Sequence, residues 1–264
     1  MLSDKPTFGP GGNGDWFYRD GGKSTVQAPA WLEKIGLDAY EYEAGRGVVA
    51  GEESLRAVGE AAAAHGIRMS LHAPYFISLS GAVEEKRLAS IDYIRKSLWA
   101  AELLGADTIV IHSGSAGKMS RAEAMRLSCD TLARVMQAVG DTSIRLGIET
   151  MGKVNQLGTL DEVLALCGVD ERITPCIDFG HLNARTGGSA LPSRGGFRAY
   201  ERAGTGRSFP RLRQLPAGVL HRGGAAGRCL CAAPALPLLP HRVHGRRGKA
   251  APDLCGRAVR HRLL

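Results

Sequence analysis

No stretch of the 264 residues stays apolar for the ~18 positions that a membrane-crossing helix needs. The opening Met1-Leu2-Ser3-Asp4-Lys5-Pro6 lacks the apolar centre of a secretory leader. Cysteine is sparse and unpatterned: Cys129, Cys167, Cys176, Cys229, Cys231 and Cys255 form no paired framework. The expectation is therefore a reduced, cytoplasmic protein with no membrane partner. A Gly-x-Ser-x-Gly elbow and a Walker loop are both missing, which removes the elbow-type serine hydrolases and the P-loop enzymes. The glycine-rich Gly9-Pro10-Gly11-Gly12 reads as a tight turn. What remains is an ordinary globular balance, 44% hydrophobic and 23% charged, which excludes wholesale disorder.

Acidic charge is nearly absent from one part of the chain. Residues 189–264 carry fourteen Arg and one Lys against only Glu201 and Asp253, and hold seven of the twelve prolines. The remaining 188 residues hold 19 basic and 24 acidic side chains. The overall +8 thus comes from the end of the chain and is no property of the part before it.

Up to about Gly187, short β-rich runs alternate with segments of helical period. Strands are expected at Thr7–Gly9, Asp38–Glu43, Ile67–Ala73, Asp107–Ser113, Ile144–Thr150 and Ile173–Asp178. Helices are expected at Ala28–Ile35, Glu52–His65, Glu84–Leu104, Arg121–Val139 and Leu160–Cys167. Ser120 to Glu123 and Thr159 to Glu162 have capping-box spacing, and Gly66, Gly105 and Gly140 stand where helices end. Repeated strand–helix units imply a parallel α/β sheet. Six of them favour a TIM (β/α)8-type barrel, with a doubly wound sheet as the competitor.

The strand ends carry the chemistry. They are occupied by His72, His112, Glu149 and Asp178, with His181 three residues on. In a parallel barrel all C-terminal strand ends open on one mouth, so these side chains converge. Imidazoles and carboxylates suit Zn2+ or Mn2+, and a carboxylate can bridge two ions. No thiol is expected among them, which argues against a structural zinc site. Each residue also has a plain reading: a histidine closing a strand, or Glu149 and Asp178 capping helices. Five ligand-type residues at four consecutive strand ends favour the metal site.

The runs Ser70-Leu71-His72-Ala73-Pro74-Tyr75, Ile111-His112-Ser113-Gly114-Ser115, Gly147-Ile148-Glu149-Thr150 and Ile177-Asp178-Phe179-Gly180-His181-Leu182-Asn183-Ala184 resemble the endonuclease IV family, in that family's order. The likeness runs from about Phe8 to Thr186. It implies a monomeric TIM-barrel apurinic/apyrimidinic endonuclease with three zinc ions on nine side chains. Such an enzyme cuts the backbone of damaged double-stranded DNA 5′ to an abasic sugar. By resemblance His72, His112 and Glu149 hold one zinc, and Glu149, the catalytic carboxylate, bridges to a second. Asp178 sits on that second ion and His181 on a third. Tyr75 resembles the aromatic residue placed near the lesion, or packs under a loop. Ions that activate water and neutralise phosphoryl charge make a side-chain nucleophile unnecessary.

After His181 the family's remaining ligands have no counterpart in family context; His221, His241, His244 and His261 stand among Arg, Gly and Pro. A reading frame displaced by one base after about Thr186 accounts for this. Over Ala235–Asp253 the displaced frame permits nineteen consecutive residues similar to the family's next histidine-bearing segment. The alternative is a basic, disordered, nucleic-acid-binding tail over 188–264, in which Cys229-Leu230-Cys231 passes as a metal clip. Two other functions compete: a metal-dependent sugar isomerase or epimerase on the same barrel, and a non-enzymatic binding protein or misread product.

Overall fold

The computed structural model describes residues 6–188. The aberrant tail, its four histidines and the Cys229–Cys231 pair lie outside the described residues. Seven α-helices are described: α1 Asp15–Arg19, α2 Ala28–Lys34, α3 Glu52–Ala64, α4 Glu84–Leu104, α5 Arg121–Val139, α6 Leu160–Cys167 and α7 Phe179–Arg185. Five strands, β1 Ala39–Glu43, β2 Arg68–His72, β3 Ala106–His112, β4 Arg145–Glu149 and β5 Ile173–Cys176, make one parallel sheet. Their order in the sheet is their order in the chain. A doubly wound sheet reverses its strand order at a switch point. A monotonic order with a helix in every crossover is the wall of an α/β barrel.

Strand alternation divides the two faces. Met69, Leu71, Ile109, Ile111, Leu146 and Ile148 join one buried cluster with Leu55, Ile94, Leu104, Leu132 and Val135 of the helices. The register puts Glu41, Ser70, His72, Val110, His112, Gly147, Glu149 and Cys176 on the other face. That face leads to the mouth.

Local signals explain the helix ends. The Ser120 hydroxyl accepts from the Glu123 N–H at 3.2 Å, but the Glu123 carboxylate turns to Arg126 instead of closing a box. At Thr159 the box is reciprocal, with the Glu162 carboxylate accepting from the Thr159 N–H. Gly66 and Gly105 both have φ of 65°, the left-handed turn that stops a helix.

Three expectations need correction. Thr7–Gly9 is not a strand. Phe8 accepts from the N–H groups of Asp38 and Ala39, and Pro10 from that of Glu41, yet only Gly11 forms a bridge to the sheet, with Glu41. Pro6 and Pro10 lack the N–H that a regular ladder needs. Nor is Gly9–Gly12 simply a tight turn: a Cβ on Gly9 would fall on the Ala39 carbonyl, so that glycine permits close approach to β1. The expected strand Ile173–Asp178 ends at Cys176 because Asp178 caps α7.

Candidate metal centre

The C-terminal residues of β2, β3 and β4 are His72, His112 and Glu149, and His112 stands opposite Glu149 in register. Asp178 follows β5, and its Oδ1 accepts from the His181 N–H at 2.7 Å, starting α7. The Thr150 hydroxyl accepts from the Asp178 N–H at 2.9 Å, tying the ends of β4 and β5 together. All five expected ligand residues therefore meet at one mouth. They form two groups that share Glu149: His72–His112–Glu149 and Glu149–Asp178–His181.

Glu149, His72 and Asp178 are 1%, 4% and 1% exposed. Glu149 Oε2 lies 3.6 Å from His72 Nε2 and 3.3 Å from His112 Nε2, yet it makes no hydrogen bond. Its Oε1 is 3.5 Å from His181 Nδ1, which is itself 3.6 Å from Asp178 Oδ2. A buried carboxylate oxygen without a hydrogen-bond partner is costly. Ligands about 2.0–2.1 Å from a tetrahedral ion lie about 3.3–3.4 Å apart, close to the separations of Glu149 Oε2 from the Nε2 atoms of His72 and His112. The donor set fits a divalent ion. Bonds to backbone carbonyls orient the rings: His72 Nδ1 is 2.9 Å from the Ala73 carbonyl and His181 Nδ1 is 2.9 Å from that of Thr150. When each Nδ1 carries the hydrogen and donates, Nε2 is left as the ligand atom.

In the metal-free chain these groups polarise one another. Burial alone would raise the Glu149 carboxyl, but His112 and His72 outweigh it and hold the group well below the usual range. Burial would lower His72, yet the carboxylates of Glu149, Glu41 and Glu43 push it up to about 9.

The plain capping reading holds for one oxygen of Asp178 and fails for Glu149, which caps nothing. Cys176 corrects another expectation, since this thiol closes β5 opposite Glu149. Burial raises it well above its ordinary range, and it belongs to neither ligand group. Tyr75 is exposed at the rim. Its ring stacks on His112, with centroids 5.2 Å apart, and meets His72 edge-on.

The sequence reading overlooked Glu41 and Glu43. Their spacing of two at the end of β1 was the available signal. Glu41 is buried and accepts from the Ser70 hydroxyl at 3.0 Å, and Glu43 stands beside His72 in register.

Residues 29–207 match the family described as xylose isomerase-like TIM barrel, past Thr186, where the motif likeness ends. An uncharacterized protein of Methanocaldococcus jannaschii is 34% identical over 162 residues, 60% of this chain and 57% of its own length. A probable endonuclease 4 of Acholeplasma laidlawii is 31% identical over 118 residues, 43% of this chain and 40% of its own. The chain thus spans about half the length of these curated relatives. Endonuclease IV from Thermus thermophilus superposes with a TM-score of 0.55 at 24% identity, covering 75% of this chain and 72% of that one. A 3-keto-D-glucoside 4-epimerase from E. coli superposes with a TM-score of 0.55 at 17% identity, covering 68% and 70%. These structural likenesses establish the fold alone. No helix among the described residues is long and apolar enough to cross a membrane.

Proposed function

The chain belongs to the xylose isomerase-like TIM barrel family, and from that premise we propose a zinc-dependent endonuclease of the endonuclease IV type, directed at the phosphodiester 5′ to abasic sites in double-stranded DNA. The observation that carries the proposal is the buried Glu149 oxygen that makes no hydrogen bond and lies between the Nε2 atoms of His72 and His112. His72, His112 and Glu149 would hold one ion, and Glu149, Asp178 and His181 a second, with His181 the ligand that the resemblance assigns to a third. When bound, such ions supply an activated water and neutralise charge on the phosphoryl oxygens. Glu149 belongs to both groups and so fixes them relative to each other. Asp178 spends one oxygen on the α7 N–H and keeps the other toward His181. Tyr75 offers a flat, exposed ring at the rim, suited to stack against the sugar or a neighbouring base.

Family ligands beyond His181 have no counterpart in family context in this chain. The purified 264-residue polypeptide is therefore expected to prefer abasic to intact duplex in the presence of Zn2+, with little or no incision. Binding of labelled duplexes, with gel analysis of the same samples, tests this. Equal binding of the two duplexes would defeat the recognition proposal, and robust incision would defeat the expected inactivity. A second reading, a metal-dependent sugar epimerase, draws support from Glu41 and Glu43 on the His72 face, a carboxylate pair suited to proton transfer. Turnover of free ketoses without abasic-site preference would put that reading first.

A further inference from the structure

The segment that leaves β4 toward α6 turns its carbonyls inward, and one guanidinium fills the cup they make. Arg185 Nη1 donates to the carbonyls of Met151 and Lys153 at 2.8 and 2.9 Å, and Nη2 to those of Val154 and Gln156 at 3.3 and 2.8 Å. Arg121, at the start of α5, reaches two of the same oxygens, Val154 at 2.9 Å and Gln156 at 3.1 Å. Arg121 is itself forked onto Glu162. A backbone segment that shows four carbonyls to one point needs a cation with several donors there, and a guanidinium matches that geometry.

This cup adjoins the candidate metal centre. Arg185 lies four residues after His181 on α7, one helical turn away. The clamped segment begins directly against that histidine. Thr150, just before it, offers its carbonyl to His181 Nδ1, and a Cβ on Gly152 would stand 3.3 Å from His181 Cδ2.

We propose that Arg185 is a positioning residue: by holding the 151–156 carbonyls it fixes the His181 imidazole for a metal ion. The inference rests on the metal-site reading above. The full chain, freed of metal, would be titrated with Co2+ and followed by visible absorption and chelator competition. His181→Ala identifies the uptake step that depends on His181. Arg185→Ala is expected to weaken that step about 10–100-fold, the usual range for a residue that orients a ligand, and to leave the step lost in His72→Ala unchanged. Combined with His181→Ala it should add nothing further, which general destabilisation would not produce. Arg185→Lys should fail to restore affinity, because an ammonium is a compact point charge rather than a planar fork.

Wild-type Co2+ uptake with Arg185→Ala at wild-type affinity overturns the inference and leaves the metal-site reading standing. No Co2+ uptake by the wild type overturns both. If circular dichroism finds Arg185→Ala unfolded, Arg185→Lys decides: weakened uptake supports the inference and wild-type affinity ends it.

Discussion

Glu149 and His72 hold each other in the charged state within the metal-free mouth, and the two shifts have opposite signs. His72 sits at about 9 against an ordinary 6.5. Its contribution is fully present below 6.5 and is lost as pH rises through 9. Glu149 is depressed from its ordinary 4.5, so its contribution is present above 4.5 and lost as pH falls toward its folded value. The melting temperature of the metal-free chain should therefore fall from pH 6.5 to 9. Glu149→Gln should flatten that slope and abolish metal uptake. A wild-type melt that does not change across this window would contradict the mutual stabilisation. Protons compete with an ion for His72, so uptake should also strengthen toward pH 9. The convergence of His72, His112, Glu149, Asp178 and His181 was readable from strand ends, because each lies at or just past the end of a parallel strand. Arg185 was not readable, since its partners are backbone carbonyls and carbonyls leave no mark in a sequence.

Among the elements, α6 and α3 carry testable consequences. Thr159→Ala removes the reciprocal cap of α6 and should cost about 1 kcal/mol in chemical denaturation. Gly59→Ala should run against helix propensity. Alanine favours a helix interior by about 1 kcal/mol, but a Cβ at this position would fall on the Leu103 carbonyl of α4. The contact is backbone and cannot rotate away, so a net loss of about 1–3 kcal/mol is expected. A melt at or above wild type would show that α3 and α4 can part without cost. The long helices were legible because their caps and apolar spacing agree; α4 and α5 keep the expected bounds, Glu84–Leu104 and Arg121–Val139. The five-residue α1 is too short for periodicity to register, and the seven-residue α7, as long as α2, was not expected. For α7 the only local sign was the Asp178 cap.

Across the whole molecule, two compositions share one chain, the balanced charge of the barrel wall and the arginine excess of residues 189–264. We propose that a displaced reading frame produces the Arg-, Gly- and Pro-rich composition from about residue 188 onward. Sequencing the coding DNA from the codon for Asp178 to beyond the stop should reveal a missing or extra base. Restoring that base would restore histidine-bearing family sequence in place of Ala235–Asp253. A confirmed sequence would sink the displacement and leave five candidate ligands, His72, His112, Glu149, Asp178 and His181, in a chain whose activity would have to be withdrawn.

Composition, periodicity and strand-end chemistry were enough to determine a parallel strand–helix repeat and to single out the five side chains at its strand ends. Both arise from local rules, the period of two in strands and the shared direction of parallel strand ends. Tertiary structure alone decided that the sheet order is monotonic, that one buried Glu149 oxygen makes no hydrogen bond, and that Asp178 both caps α7 and faces His181. It also placed Glu41 and Glu43 beside His72 and set two guanidiniums in one ring of carbonyls. These outcomes depend on which distant groups share a desolvated space, and that is settled only when packing removes the water between them.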